Sequence, residues 1–573
     1  MNPIDILTKY WGHTKFRLKQ ELIISEVINN QDVLALLPTG GGKSVCYQVP
    51  ALMREGLCIV ISPLISLMND QVRHLNSKGI KSISISSSMN YAQIDTALTN
   101  CIYGGIKFLY LSPEKLQHNL IKTRIVEMNI NLITVDEAHC ISEWGHNFRP
   151  SYRHISDIRK IIPNVSVLAL TATANKSVSD DIQSSLVFKK TNIIRSSFLR
   201  PNMSYVVDTI LDKESRLIKL LNKIKSSIII YVGTRRLSEE ISAFLNSNSF
   251  SANFYHAGLS LKDRNQRQLN WTNNETRIIV ATNSFGMGID KQDVKLVVHM
   301  AMPSSIEAYF QEAGRAGRNG NTAYAFLLAN SNDIKKQNNL LKFKYPKIIE
   351  IVDIYQNISS YLQIAVGDEP EETFAIDIDI FSKRYNLSRL KVYHSIKYLE
   401  KEELIKLLDD NFSNSKFKFI ISSNELYKFQ ISNKYYDSFI RLLLRTYSNS
   451  FNHLVSINLS LISKKYEKSL NNILLLLKKL KDLEIIDFKE ESDLPQIKFL
   501  SQRIDLNINH LNKHIWNERR SFDQNKLNAI SEYVLNKSKC RSSELLNFFG
   551  EKTSESCGVC DICIIKKRSL LSN

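Results

Sequence analysis

The chain has 573 residues, 43% of them hydrophobic, which is enough for several separately folded cores. Lysine and arginine total 75 against 57 acidic residues, so the net charge is +18 and the isoelectric point is near 9.3. This excess favours nucleic acid as a partner, although a lysine-rich proteome would produce the same balance.

The sequence excludes a membrane-spanning chain, because no apolar run approaches the roughly eighteen uncharged residues that a span requires. The first residues include Asp5 and lack the pattern of a secretory signal. We therefore expect a cytoplasmic protein, in bacteria near the nucleoid, that has no membrane partner.

Apolar runs of four to eight residues alternate with helical-length segments through residue 340. Such runs are typical of strands in a parallel sheet that is buried on both faces. The runs are "DVLALL", "LCIVIS", "IKFLYLS", "NLITVDEAH" and "VSVLALTATA" before residue 175, then "SSIIIYVG", "TRIIVAT" and "VKLVVHM" after residue 225. They predict two successive α/β domains, 1–200 and 201–343, joined near "SFLRPNMSYVVD".

The segment "LPTGGGKS", residues 37–44, lies between a predicted strand and a predicted helix. Phosphate binding requires backbone amides at a helix N-terminus, a lysine for the outer phosphates and a hydroxyl for Mg²⁺. The generic motif has glycine where this chain has Leu37, and a glycine-rich turn with a chance Lys-Ser pair is the alternative. The residues predicted to hold ATP are Thr39, Gly40, Gly41, Gly42, Lys43 and Ser44.

The apolar run "NLITVDEAH" carries Asp136 and Glu137 at its end. This is the place for a carboxylate that holds Mg²⁺, together with Ser44, and for a neighbour that orients the attacking water. A solvated acidic turn is the alternative. After a phosphate-binding loop, the pair predicts ATP hydrolysis.

The stretch "YFQEAGRAGRNG", residues 309–320, contains Gln311, Arg315 and Arg318. Two arginines spaced by glycine and alanine suit the delivery of a guanidinium to a phosphate across a cleft. We expect Arg318 to be the arginine finger; a basic surface turn is the alternative.

Two later segments, "IFSKRYNLSRLKVYHSIKYLEKEELIKLL" and "LISKKYEKSLNNILLLLKKLKDLEIIDFK", are similar at an offset of 81 residues. Each has a short helix, a turn, an apolar-periodic helix and then β-prone residues. They predict two winged-helix-like units, 344–425 and 426–505, with candidate wings near 406–421 and 486–500. Two unrelated amphipathic helices are the alternative.

Four cysteines, Cys540, Cys557, Cys560 and Cys563, form a C-x₁₆-C-x₂-C-x₂-C pattern in the last predicted domain, 506–573. Four thiolates complete a closed tetrahedral Zn²⁺ site, and an iron–sulfur cluster is the alternative. The pattern predicts a structural zinc.

These motifs together resemble superfamily 2 helicases, and several of them narrow the resemblance to the RecQ family of DNA helicases. "FRLKQELI", "LPTGGGKS", "SPLISLMNDQV", "DEAHCISEWGHNFRPSYR", "LALTATA", "YHAGL", "ATNSFGMGIDK" and "QEAGRAGRNG" occur in the family's order. The resemblance implies two tandem RecA-like domains that share an ATP·Mg²⁺ cleft. The zinc subdomain also resembles that of the family, although here the suspected repeat precedes it.

The resemblance assigns further residues. Arg17 and Gln20 match the adenine-reading motif, with His13 standing where many members have tyrosine. Gly288 and Asp290 are implied to link the second domain to the ATP site. The aromatic-rich loop that couples DNA to ATP hydrolysis is matched by Trp144, His146, Phe148 and Arg149, whose rings suit stacking on a single strand.

Together with the resemblance, the sequence predicts a monomeric, ATP-dependent DNA helicase with a role in repair or recombination, and the resemblance implies the 3′ to 5′ direction. Its expected partners are single-stranded and branched or forked DNA, with repair or single-strand-binding proteins. A DEAH-type RNA helicase and a non-catalytic, ATP-gated DNA-binding module are the alternatives.

Overall fold

The five apolar runs before residue 175 are strands of one parallel sheet in the computed structural model. The structure describes residues 2–38, 40–86, 89–142, 148–172, 174–286, 291–408, 415–447, 449–489 and 494–571. It divides into two units, one formed by 1–338 with 522–573 and the other by 339–521.

The first sheet has the strand order β3-β4-β2-β5-β6-β1-β7, and neighbouring strands run parallel. Its strands are β1 (Val33–Leu36), β2 (Leu57–Ile61), β3 (Ser82–Ile85), β4 (Phe108–Leu111), β5 (Ile130–Val135), β6 (Val167–Thr171) and β7 (Ile193–Arg195). The helices are α1 (Pro3–Trp11), α2 (Gln20–Ile28), α3 (Val45–Met53), α4 (Ile65–Ser77), α5 (Tyr91–Tyr103), α6 (Asn119–Ile125), α7 (Ile155–Ile161) and α8 (Lys176–Ser185).

The second sheet has the order β10-β11-β9-β12-β13-β8 and is also parallel. Its strands are β8 (Met203–Asp208), β9 (Ser227–Tyr231), β10 (Ala252–Tyr255), β11 (Ile278–Ala281), β12 (Val294–His299) and β13 (Ala323–Leu328). The helices are α9 (Lys213–Lys223), α10 (Arg235–Ser247), α11 (Leu261–Thr272) and α12 (Ile306–Ala313). The two sheets confirm the predicted pair of RecA-like domains.

The apolar runs do not identify the outer strands β3, β7, β8 and β10, nor β13, which lies next to the outer strand β8. The central strands β2, β9 and β11 are fully buried apolar runs, whereas β3 alternates serine and isoleucine, and β10 is half-buried along its length. Strands near a sheet edge need not be apolar on both faces, so the search for continuous apolar runs does not detect them.

The second unit contains the two predicted winged-helix-like segments. Its helices are α13 (Ser331–Lys344), which begins in the first unit, then α14 (Ile348–Tyr361), α15 (Ile378–Arg384), α16 (Arg389–Lys401), α17 (Ser423–Ser432), α18 (Lys434–Thr446), α19 (Leu459–Tyr466) and α20 (Leu470–Asp482). The strands are β14 (Thr373–Ala375), β15 (Ile405–Leu408), β16 (Lys416–Phe419), β17 (Val455–Ser456), β18 (Ile486–Lys489) and β19 (Gln496–Phe499).

The two segments predicted to be winged-helix-like are nested rather than consecutive. Strand β15 pairs with the distant β19, with Leu407 opposite Ile497, and β16 pairs with β18, with Phe417 opposite Phe488. The inserted module, residues 415–489, therefore lies between the two paired strands of the host module, residues 339–408 and 494–521. The candidate wings 406–421 and 486–500 are thus not two local hairpins, because each strand of one segment pairs with a strand of the other.

Each module has its own core. Helix α16 buries Val392, Ile396 and Leu399, and helix α20 buries the matching residues at the 81-residue offset, Ile473, Leu477 and Leu480. The periodicity that suggested a repeat is therefore the periodicity of two equivalent buried helix faces.

The last helices are α21 (Lys513–Leu535), which begins in the second unit, α22 (Arg541–Phe548) and α23 (Asp561–Leu571). Helices α22 and α23 pack beside β8 of the second sheet. Among the described residues, no helix has both the length and the apolar character that a membrane crossing requires.

Candidate functional site

The glycine-rich loop connects β1 to α3, at the carboxyl edge of the first sheet. Gly40 and Gly42 have φ angles of 80° and 74°, which other residues rarely adopt. A side chain at Gly42 would also collide with the Gln20 amide nitrogen. Thr39 lies outside the described residues.

Gln20 begins α2 and holds the glycine-rich loop. Its amide nitrogen donates to the carbonyl oxygens of Gly41 (3.3 Å) and Gly42 (3.0 Å), and its carbonyl oxygen accepts from the Arg17 backbone amide at 2.8 Å. Gln20 is buried, whereas Arg17 and His13 are exposed. The structure therefore brings Gln20, but not the side chains of the other two, against the loop.

Lys43 and Ser44 lie where the loop enters α3, opposite the end of β5. The Lys43 ammonium lies 3.7 Å from Glu137 Oε1. Glu137 has a φ of 48°, and this left-handed turn follows β5 immediately. The conformation is uncommon outside glycine and is often found at functional sites.

Asp136 is the first residue after β5, is partly buried, and accepts a hydrogen bond from the Glu137 backbone amide at 3.0 Å. Burial, with repulsion from Glu137, raises its pKa to about 6, while attraction to Lys43 acts in the opposite direction. A carboxylate that is costly to ionise alone is suited to binding a cation, because the cation stabilises its charged form.

Sequence reasoning missed His139, which lies within the "DEAH" stretch. Its side chain is fully buried, with Nδ1 2.9 Å from the Thr171 hydroxyl and 3.4 Å from Glu137 Oε2. Thr171 ends β6 and belongs to the "LALTATA" stretch. The histidine thus connects the turn of Asp136 and Glu137 to β6. A histidine shortly after one strand and a hydroxyl at the end of the neighbouring strand are the sequence signal from which this contact could have been predicted.

The three residues of the arginine stretch have different surroundings. Gln311 is buried on α12, and Arg315 is buried with its guanidinium donating to the Gly286 carbonyl oxygen. Arg318 is only partly buried, and its side chain lies against the glycine-rich loop: a Cβ atom added to Gly40 would be 3.4 Å from Arg318 Cγ. The second sheet's domain therefore presents Arg318, more than Arg315, to the first domain's loop.

Part of the aromatic-rich loop is described. Arg149 donates through Nη1 to the Pro63 carbonyl oxygen at 2.9 Å, just beyond the end of β2. The Arg153 guanidinium lies over the Phe148 ring, 5.5 Å from its centroid. Trp144 and His146 lie outside the described residues, as do Gly288 and Asp290 of the second domain.

The four cysteines converge on one point. Their sulfur atoms all lie within 4.8 Å of one another, and Cys557 donates its backbone amide to the Cys540 sulfur at 3.2 Å. In a tetrahedral site with Zn–S bonds of about 2.3 Å, sulfur atoms are about 3.8 Å apart. The hydrogen bond between Cys557 and Cys560 lowers the pKa of the Cys557 thiol and raises that of Cys560, so Cys557 is the member of this pair that ionises first. The four sulfur donors of the cluster fit Zn²⁺.

Four family descriptions match consecutive parts of the chain. A DEAD/DEAH box helicase family matches residues 17–181, and a helicase conserved C-terminal domain matches 212–320. A RecQ helicase winged-helix domain described from Bacteroidota matches 417–490, which is the inserted module, and a RecQ zinc-binding family matches 491–564.

Two curated relatives come from Bacillus subtilis (strain 168). The probable ATP-dependent DNA helicase RecS is 39% identical over 352 residues, which are 61% of this chain and 71% of that protein. The ATP-dependent DNA helicase RecQ is 40% identical over 342 residues, which are 59% of this chain and 58% of that protein. Against the latter, the chain spans less than two thirds of the relative's length.

A solved structure, the DUF1998 helicase MrfA bound to DNA and AMPPNP, is similar at a TM-score of 0.50 and 19% identity. The similarity covers 59% of this chain and 52% of that one. At this identity, the likeness concerns the fold alone.

Proposed function

Because the chain belongs to the RecQ family of ATP-dependent DNA helicases, we propose that it couples ATP hydrolysis to 3′ to 5′ movement along single-stranded DNA and to separation of the duplex. The observation that carries the proposal is the meeting of Lys43, Glu137 and Arg318 around the glycine-rich loop. The enzyme acts as a monomer on single-stranded and forked DNA in repair or recombination.

In the proposed reaction, the glycine-rich loop and Lys43 bind the ATP phosphates, and Glu137 orients the attacking water. Asp136 and Ser44 are the residues that would hold Mg²⁺, which supplies positive charge to the phosphates. Arg318 stabilises the charge that develops during phosphoryl transfer, and Arg315 keeps its turn in place. Gln20 holds the loop through its hydrogen bonds to the loop carbonyl oxygens, and Arg17 and His13 contact the adenine.

The aromatic-rich loop is proposed to report DNA binding to the ATP site. Phe148 and Arg149, with Trp144 and His146, offer stacking surfaces and a cation for a single strand. The Arg149 contact at Pro63 supports the proposal, because it joins this loop to the edge of the sheet that carries Asp136.

We propose a first domain at 1–200, a second at 201–338 and a zinc subdomain at 522–573. The limits predicted at 343 and 506 move because residues 339–408 and 494–521 form the host module around the inserted one. Of the two winged-helix modules, the inserted one is the better candidate for contact with duplex DNA. Residues 415–489 contain thirteen basic and six acidic residues, and helix α20 exposes Asn472, Leu475 and Lys479. The exposed Lys468 precedes this helix.

The equivalent face of the host helix α16 is less exposed, because at the 81-residue offset Lys391 and His394 are partly buried and Tyr398 is buried. On α16, Lys391 forms an ion pair with Glu350 of α14 at 2.7 Å. Near the end of α16, the Tyr398 ring packs on Trp516 of α21, with ring centroids 4.4 Å apart. This face of α16 therefore offers a polyanion less than the exposed face of α20 does, and the exposed cations of α16, Arg389 and Lys401, lie at its two ends.

The experiment that tests the function compares ATP hydrolysis by the full chain with single-stranded DNA, with RNA of the same sequence and without nucleic acid. We expect DNA to stimulate turnover more than RNA does, and Lys43→Ala to remove it. Stronger stimulation by RNA would support the RNA helicase alternative, which the names of the two relatives do not favour. Zero turnover at saturating DNA would support the non-catalytic module.

A further inference from the structure

The segment between the two sheets, residues 196–202, contacts the turn that carries the arginines. The Arg200 guanidinium donates to three backbone carbonyl oxygens, those of Gly314 (2.9 Å), Ala316 (2.8 Å) and Gly317 (2.7 Å). These carbonyls follow the end of α12, where helical carbonyls lack partners within the helix. The planar guanidinium provides several donors at once, and its charge suits the negative end of the helix dipole.

Asn202 completes the contact. Its amide nitrogen donates to the carbonyl oxygens of Gly317 (2.8 Å) and Asn321 (2.9 Å), on either side of Arg318. Gly317 has a φ of 64°, and a Cβ atom there would lie 2.6 Å from the Asn202 amide nitrogen. The backbone immediately before Arg318 therefore has little freedom while the segment is in place.

The other end of the segment is held by the cysteine-containing subdomain. Glu551 accepts hydrogen bonds from the Phe198 backbone amide at 2.9 Å and from the Ser197 hydroxyl. The Phe198 ring packs on Phe549, with centroids 5.2 Å apart, and on Phe310 of α12 at 5.9 Å. Phe549 and Glu551 follow α22, the helix that begins directly after Cys540.

We propose that residues 197–202 transmit the fold of the zinc subdomain to the arginine turn, and that Arg200 is a positioning residue for Arg318. The proposal rests on the proposed ATPase function and adds to it a physical connection between the zinc site and the ATP site. Without Arg200, the carbonyl oxygens of Gly314 and Ala316 lose this side-chain donor, Gly317 keeps only its bond from Asn202, and the turn can relax. A displacement of about 1 Å at a reacting group costs roughly 100-fold in rate.

The test is a set of variants in the full chain: Arg200→Ala, Arg200→Lys and Arg216→Ala. Arg216 is the matched control, because it is a partly buried arginine of the second domain that pairs with Asp208 instead of the turn. We expect Arg200→Ala to lower the kcat of DNA-stimulated ATP hydrolysis about 10- to 100-fold, with the affinity for a non-hydrolysable ATP analogue within about twofold. Lysine should rescue only part of the loss, since its ammonium does not match the planar fork of the guanidinium.

A double-mutant cycle separates positioning from general damage. If Arg200 acts through Arg318, adding Arg200→Ala to an Arg318→Ala background should change the single-turnover rate by less than about twofold. A loss that is equally large in both backgrounds would overturn the inference. A change in KM without a change in kcat in the Arg200→Ala variant would also overturn the inference.

Zinc content and thermal unfolding check that each variant is folded. Should Arg200→Ala fail to fold, Glu551→Gln replaces it, because it removes an acceptor at the other end of the segment; an unchanged kcat in that variant would also overturn the inference. Failure of the proposed function is distinguishable, because the wild-type chain would then show no DNA-stimulated hydrolysis at all.

Discussion

The ammonium group of Lys43 lies 3.7 Å from Glu137 Oε1, so the lysine of the glycine-rich loop and the carboxylate after β5 form an ion pair. In the proposed reaction, the nucleotide phosphates and Glu137 compete for this cation. Binding of ATP would release the carboxylate to orient water.

The first prediction concerns Glu137→Gln. Loss of the water-orienting carboxylate should lower kcat by about 100- to 10,000-fold. ATP affinity should stay equal or rise a few-fold, because the neutral amide of glutamine competes less for Lys43 than the carboxylate does. Steady-state turnover and equilibrium nucleotide binding measure the two effects. The control is Glu127→Gln, an exposed acid that pairs with Arg124; a Glu137 variant that keeps one third of wild-type turnover would contradict the assignment.

The second prediction is a pH dependence of cation binding at Asp136, whose pKa burial raises to about 6. A proton and a divalent cation compete for the carboxylate, so affinity should rise with pH. The apparent Kd should fall about tenfold per pH unit below pH 6 and level off above pH 7. Electron paramagnetic resonance with Mn²⁺, a substitute for Mg²⁺, measures this on the nucleotide-free protein. An Asp136→Asn control should lose the dependence; a wild-type affinity that is constant from pH 5 to pH 8 would argue against Asp136 as the ligand.

The third prediction separates the two arginines. Arg318→Ala should lower kcat by about 1,000-fold or more and leave thermal stability unchanged, since its side chain reaches the phosphate loop. Arg315→Ala removes a buried donor from the Gly286 carbonyl oxygen, which should cost about 2 kcal/mol. Its Tm should therefore fall by about 4 to 8 °C. Calorimetry and single-turnover kinetics on both variants measure the two effects. A large rate loss in Arg315→Ala together with a large stability loss in Arg318→Ala would contradict the assignment.

The fourth prediction concerns the inserted winged-helix module. Charge reversal at two exposed positions, Lys468→Glu with Lys479→Glu, should weaken binding of duplex DNA about tenfold and reduce the slope of its salt dependence by about two. The same change at exposed host positions, Lys383→Glu with Lys406→Glu, should alter the affinity less than about twofold. Equal weakening by both pairs, measured by fluorescence anisotropy, would remove the distinction between the modules.

The sequence predicts those parts of the site that depend on local spacing. Gly42, Lys43 and Glu137 each lie within a short motif at the end of a strand, and the described geometry brings them together. The cysteines converge for the same reason, because two of their three spacings are short.

Long-range backbone pairing cannot be predicted from the sequence in the same way. The nesting of the winged-helix modules depends on β15 pairing with a strand about 90 residues away, and no side-chain pattern encodes that distance. Arg200 was missed because its three acceptors are backbone carbonyl oxygens, which every residue has. The hydrogen bonds from Gln20 to the loop were missed for the same reason, because their acceptors are also backbone carbonyl oxygens.

The central claim is that ATP hydrolysis at Lys43 and Glu137 drives strand separation in DNA. The most direct measurement follows the release of one labelled strand from a forked duplex with a 3′ single-stranded tail, in the presence of ATP. We predict release by the full chain, no release by Lys43→Ala or Glu137→Gln, and little release from a duplex with only a 5′ tail. Equal release by the wild-type chain and the Lys43→Ala variant, or no release by the wild-type chain while it hydrolyses ATP on the same DNA, would contradict the account.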